Sequence, residues 1–232
     1  METLPGGITL NIPEGCFPLS TDTVVLGDFV KLPKNARVLD LGSGSGSLGL
    51  LLSSWDPGCR VTGLELTENA HEAALQNIHD NHLEGRMESL CTDLRQVPSL
   101  FPAGSFSVCV SNPPYFTGGP ASLRFQTARR DDCCSVRELF AAASWALQFG
   151  GYFYLVQKPE KLAELIGEGL RQNMECKKLR LLRHKEGSPV ALILLQLRKG
   201  GKPGMKLEET CLFDSLGNPT EDYKRIYHME EG

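Results

Sequence analysis

The sequence carries no surplus of positive charge. Its 24 Lys and Arg are outnumbered by 28 Asp and Glu, a formal net charge of -4. A nucleic acid partner would therefore have to be met by a local patch, not by the whole surface. No apolar run is long enough to span a bilayer, and no basic-then-apolar leader opens the chain, so a membrane helix and secretion are not expected. Eight cysteines are present: Cys16, Cys59, Cys91, Cys109, Cys133, Cys134, Cys176 and Cys211. None forms a C-x-x-C pair, and adjacent Cys133 and Cys134 suit neither a typical disulfide nor a zinc knuckle. With no Cys/His cluster, no metal is expected. Buried free thiols in a reducing cytoplasm are the reading that fits. Internal repeats and low-complexity tracts are also missing. What remains is 232 residues, enough for one large domain or one domain with a small extension. A chain of that length buries roughly 70 to 75% of its unfolded surface.

Strand-like and helix-like stretches alternate. Residues 1–13 are Gly/Pro-punctuated and are expected to fray or lie on the surface. A helix is expected over 21–30 after the Ser20/Thr21/Asp22 cluster, ended by Pro33. Strands are expected at 37–41, 60–66, 87–91, 106–110 and 152–157. Between them fall helices at 47–54, over Ala70, Ala73, Ala74 and Ile78, and from Ser135 to about Ala146, opened by a Ser135/Glu138 capping box. Gly150-Gly151 should break that last helix. After a helix at 160–172, strands at 177–182 and 190–197 are joined by a short loop. Alternation argues for a Rossmann-like α/β fold: a doubly wound, mostly parallel sheet. The final pair argues for an antiparallel edge hairpin, making seven strands. The tail from Lys199 onward is Gly/Pro-punctuated and mixed in charge.

Two stretches carry chemistry. The first strand runs into Gly42-Ser43-Gly44-Ser45-Gly46. Alternate glycines let backbone approach a ligand where a β-carbon would clash. Asp40 ends the strand, and Glu65 follows nineteen residues after Gly46 at the end of the next. There it is placed for two ribose hydroxyls. Asp93, one strand further, could accept from an adenine amine, although a helix N-cap is an equal reading for either acid alone. Gly44-Ser45-Gly46-Ser47-Leu48-Gly49 also matches the dinucleotide fingerprint. Asp40 argues against that, because an anion is unfavourable beside a pyrophosphate and favourable beside a sulfonium or ammonium.

The second stretch is Ser111-Asn112-Pro113-Pro114-Tyr115-Phe116. The prolines stiffen the backbone and stop the strand, leaving an amide, a carbonyl and a ring at its carboxyl end. In an open α/β sheet ligands bind there. A plain turn is the competing reading.

Together these features resemble the class I S-adenosylmethionine-dependent methyltransferases over roughly 17–197. Asn112-Pro113-Pro114-Tyr115 resembles the catalytic tetrapeptide of the branch that methylates amino and amide nitrogens. In finer detail the chain resembles the bacterial family that methylates the exocyclic amine (N6) of an anticodon-loop adenine in a valine tRNA. The shared features are Phe17, Thr21-Asp22, Asn112 to Phe116, Ala128-Arg129, Gly200 to Gly204 and Arg225-Ile226-Tyr227. Arg130 departs, since an imidazole is expected there.

The resemblance implies S-adenosylmethionine as cofactor, held by Asp40, Gly42, Ser43, Gly44, Gly46, Glu65, Leu66, Asp93, Leu94 and Asn112. It implies Asn112, Pro113, Pro114 and Tyr115 as catalytic residues. A tRNA would be met by Phe116, Arg129, Arg130, Lys199 and Lys202. Residues 1–36 would carry a short helix over the cofactor site, 37–198 the methyltransferase domain, and 199–232 an extension. A monomer is favoured. The same tetrapeptide also fits methylation of a release-factor glutamine, or of an rRNA or DNA amine. The glutamine enzymes usually carry a helical domain ahead of the first strand, where only about thirty-six residues lie here. A binding module that kept the fold and lost the chemistry is a third reading, which the intact tetrapeptide opposes.

Overall fold

The computed structural model describes residues 2–3, 7–13, 19–113 and 134–229. Phe17, Pro114, Tyr115, Phe116, Arg129 and Arg130 lie outside the described residues. The elements in order are β1 (Glu2–Thr3), β2 (Thr9–Leu10), α1 (Thr21–Phe29), β3 (Arg37–Leu41), α2 (Ser47–Trp55), β4 (Arg60–Glu65) and α3 (Glu68–Asp80). They continue with β5 (Met87–Cys91), α4 (Val97–Leu100), β6 (Phe106–Ser111), α5 (Val136–Ala146), β7 (Leu147–Gln157) and α6 (Leu162–Arg171). The last are β8 (Met174–Lys185), β9 (Leu192–Lys199), β10 (Lys206–Phe213) and α7 (Glu221–Ile226).

Among the described residues eight strands form one sheet, ordered β10-β8-β9-β7-β6-β3-β4-β5. Strands β3 to β7 pair in parallel. β9 runs antiparallel to both β7 and β8. The expected count of seven is thus corrected. The hairpin β8–β9 does not form the border, because β10 adds in parallel to β8 beyond it. The strand is hard to read because, as an outermost strand, it buries only Thr210 and Leu212. Its charged Lys206, Glu208 and Glu209 erase the alternation that marks a half-buried strand.

Side chains alternate between two cores. Val38, Val108, Val110, Tyr154 and Val156 join α1, α2 and α3 on one face. Leu39, Leu41, Cys109, Phe153 and Leu155 join α5 and α6 on the other. Helix α1 lies deep in the first core, packing on α2, β7, β9 and α7. Val24, Val25, Leu26 and Phe29 are buried in it, each worth about 1.5–3 kcal/mol. Ser20 sits at its N-cap position but makes no side-chain cap bond. The Ser135/Glu138 capping box is formed as expected, with both reciprocal bonds present.

Two further expectations are corrected. Residues 8–11 are not loose: Ile8 and Leu10 are buried. The side chains of Asn81, which caps the end of α3, and of Asn77 within it accept from the backbone N–H groups of Thr9 and Asn11, at 3.0 and 2.8 Å. Gly150 does not end the helix, which stops at Ala146; it lies inside β7 with φ +81°. Gly151 presses on β6 there, and a Cβ on it would lie 2.9 Å from the Ser107 carbonyl oxygen.

Candidate active site

Strand register assembles the site. Leu41 pairs with Leu64, and Glu65 with Cys91. The hydroxyl of buried Ser111 donates to the Leu41 carbonyl at 2.7 Å. By this register Asn112, Gly42 and Glu65 fall level at the carboxyl ends of their strands, with Leu66 one residue beyond Glu65 and Asp93 two beyond Cys91. Neighbouring strands are about 4.8 Å apart, so Asn112 emerges directly beside the glycine loop.

The loop is a folded cradle. Gly42, Gly44 and Gly46 have φ of +78°, +56° and +83°, a region that excludes most side chains. A Cβ on Gly42 or Gly44 would meet nothing within 4 Å, whereas one on Gly46 would meet Met87 at 3.1 Å. The first two thus border open volume and the third faces the core. The N–H groups of Gly42 and Ser43 both donate to the Leu64 carbonyl at 2.9 Å, pinning the loop to β4. From behind, buried Asn77 donates to the Ser45 carbonyl at 3.0 Å. This brace was not anticipated. Its signal was a polar residue on the buried Ala70/Ala73/Ala74/Ile78 face of α3.

Asp40 is buried beneath this loop. Burial, with Glu65 nearby, pushes its carboxyl up to about 7. Its Oδ2 has no hydrogen-bond partner among the described residues, and neither do the hydroxyls of Ser43 and Ser45. Glu65 accepts from the Gly44 N–H at 2.9 Å, and from the Thr67 N–H and hydroxyl at 2.8 Å. A carboxylate has about four lone-pair positions, so gripping a ribose diol would mean giving up one of these bonds.

Asp93 caps the turn that follows it, accepting from the Arg95 N–H at 2.8 Å and ion-pairing with the Arg95 guanidinium. Those bonds hold its carboxyl below the usual range. Leu66 is exposed, while Leu94 packs against the second core. Asn112 is half-buried and points to the α1 face, where its amide nitrogen donates to the Thr23 hydroxyl at 3.0 Å. Pro113 is buried.

Lys199 and Lys202 are not brought to this crevice. β9 runs against β7, so its last residue lies beside the start of β7, at the opposite end of the sheet. Lys199 there donates to the Ser144 and Leu147 carbonyls closing α5, and the Lys202 carbonyl accepts from Lys177. Among the described residues no His/Cys/Asp/Glu group could hold a metal ion, and no helix is long and apolar enough to cross a membrane.

Sheet order, glycine cradle and strand-end acids define a class I methyltransferase, a class whose methyl donor is S-adenosylmethionine. The residues present fit such a donor: open volume over Gly42 and Gly44, and an unpartnered Asp40 oxygen below. Residues 21–180 match the methyltransferase small domain, and the chain belongs to that family. It is 28% identical over 207 residues to the tRNA1(Val) (adenine(37)-N6)-methyltransferase of Photobacterium profundum, covering 87% of this chain and 86% of the relative. The enzyme of that name from Vibrio parahaemolyticus is 29% identical over 217 residues, covering 93% and 89%. Among solved structures, a predicted O-methyltransferase from Agrobacterium tumefaciens superposes with a TM-score of 0.76 at 20% identity, covering 90% of this chain and 96% of that one. Geranyl diphosphate C-methyltransferase from Streptomyces coelicolor, solved with S-adenosyl-L-homocysteine, gives 0.57 at 11% identity, covering 76% and 78%.

Proposed function

We propose that this chain methylates N6 of an adenine in tRNA, in the anticodon loop of a valine tRNA, with S-adenosylmethionine as donor. The observation that carries the reading is the Asn112–Pro113 pair at the end of β6, beside the glycine loop. The names of the relatives from Photobacterium and Vibrio support the substrate. Asp40, Gly42, Ser43, Gly44 and Gly46 would hold the donor's methionine end, Glu65 its ribose, and Leu66, Asp93 and Leu94 its base. When bound, the donor supplies a methyl carbon made electrophilic by the sulfonium.

An adenine amine is a poor nucleophile because its lone pair is delocalised into the ring. The Asn112 side-chain oxygen and the Pro113 carbonyl each accept one of its N–H bonds. Holding both hydrogens favours a pyramidal nitrogen with its lone pair turned towards the crevice. With the donor bound, attack by that lone pair on the methyl carbon would displace the sulfur with the C–S electron pair, and the extra proton would then leave to water. The same two oxygens stabilise the positive charge that grows on nitrogen, a preorganised electrostatic effect worth about 10²–10³ in rate. Tyr115 would stack on the base. Phe116, Arg129 and Arg130 follow in sequence and are proposed on the RNA side.

The test is mass spectrometry of nucleosides from tRNA incubated with the protein and S-adenosylmethionine. N6-methyladenosine should appear with the native chain. With Asn112→Ala it should fall about 100-fold or more, while donor binding by calorimetry stays within about threefold. Methylated release-factor glutamine with unmodified tRNA would replace the reading, and full activity of Asn112→Ala would end the mechanism.

A further inference from the structure

The tetrapeptide alone does not decide which way the Asn112 amide faces. The final torsion of an asparagine is broad and roughly two-fold, so oxygen and nitrogen can exchange places at little cost. The exchange matters here. With the nitrogen in the crevice, two N–H donors would face each other across the site and no bond would form.

Thr23 supplies a choice. It lies in the first turn of α1, only 7% exposed. Its hydroxyl accepts from the Asn112 amide nitrogen at 3.0 Å, across 89 residues of sequence. A hydroxyl can also donate, but a nitrogen seated on it leaves the carboxamide oxygen on the side away from α1. The helix carrying Thr23 is itself held at its far end. Asp28 pairs with Arg180 of β8 at 2.7 Å and with Arg225 of α7. Asp28 and Arg180 are about nine-tenths buried, and Arg180 lies over the Phe29 ring, 4.8 Å from its centre. The first turn of α1 is therefore placed by a rigid rod, not by a loop.

We propose that Thr23 is a positioning residue: its hydroxyl fixes the Asn112 amide so that the oxygen, not the nitrogen, meets the substrate amine. The proposal rests on the reading of Asn112 as the acceptor of a substrate N–H. It assigns the orientation of a catalytic group to a residue outside the motif that contains it.

Two variants of the full chain test it. Thr23→Val keeps the shape and removes the hydroxyl; Thr23→Ser keeps the hydroxyl. Thr23→Val should lower kcat about 10- to 30-fold, the effect of losing one orienting hydrogen bond, with KM for tRNA and affinity for S-adenosylhomocysteine within about twofold. Thr23→Ser should stay within about threefold of the native kcat. Native kcat in Thr23→Val overturns the proposal, and so does an equal loss in both variants, which would make the effect one of shape.

A second readout needs no turnover. The side-chain amide signals of Asn112, identified by their loss in Asn112→Asp, should form one sharp pair in the native chain and in Thr23→Ser. In Thr23→Val they should shift or broaden, and an unchanged pair there overturns the proposal. Should the signals respond while the native chain leaves tRNA unmodified, the substrate reading fails and the orientation role stands.

Discussion

Asp40 carries an electrostatic cost that depends on pH. In the folded chain its carboxyl is raised to about 7 by burial and by Glu65, while in an unfolded chain it titrates near 4. Between these values the native state keeps a proton that the unfolded state has released. Stability therefore falls as pH rises through that window, by about 4 kcal/mol at most. Urea denaturation at pH 5 and pH 7.5 should show the loss, and Asp40→Asn should abolish most of the difference. A cationic donor acts in the opposite sense, because it favours the ionised carboxylate; S-adenosylmethionine affinity should rise with pH up to about 7. Asp40 was legible because its position at a strand end, next to a glycine loop, limits what it can meet. Thr23 was not: a hydroxyl that acts across 89 residues leaves no local pattern. At Asp93 the plainer reading, an N-cap, is what the structure contains.

Among elements, the close contact of β4 with the glycine loop constrains the crevice. A Cβ added to Gly63 would lie 2.7 Å from the Ser43 hydroxyl and 2.9 Å from the Ser43 Cβ. Those atoms belong to the loop, and the strand beneath them cannot retreat because it pairs on both sides. Gly63→Ala should leave the chain folded, with a near-native circular dichroism spectrum, and weaken S-adenosylhomocysteine binding about tenfold or more by calorimetry. The strands and helices that frame the crevice were readable because each buries a face in one of the two cores. β10 was not, since a strand on the border needs only two inward residues. The short turn formed by Leu94–Gln96 and α4 was missed for a related reason: only Val97 is buried there.

For the molecule as a whole, the cluster of Asp28, Arg180, Arg225 and Glu208 joins four elements distant in sequence. Asp28→Ala would leave the buried Arg180 guanidinium with Glu208 alone, at 3.2 Å. We expect a loss of about 3 kcal/mol in urea, the usual result of breaking a buried pair from one side. The topology was legible as far as β9. Beyond it, the stretch from Lys199 read as a tail because β10 is charged and little buried, and α7 spans only Glu221–Ile226.

The clamp also has a consequence for the chain while it is being made. Synthesis delivers α1 well before Arg225, and domains fold as their residues emerge. A nascent polypeptide can hold the glycine cradle as soon as β3 and β4 pair. Thr23 gains its full anchorage only when the final helix docks. A chain that stops short of Arg225 would keep the cradle while losing one of the two arginines that hold Asp28.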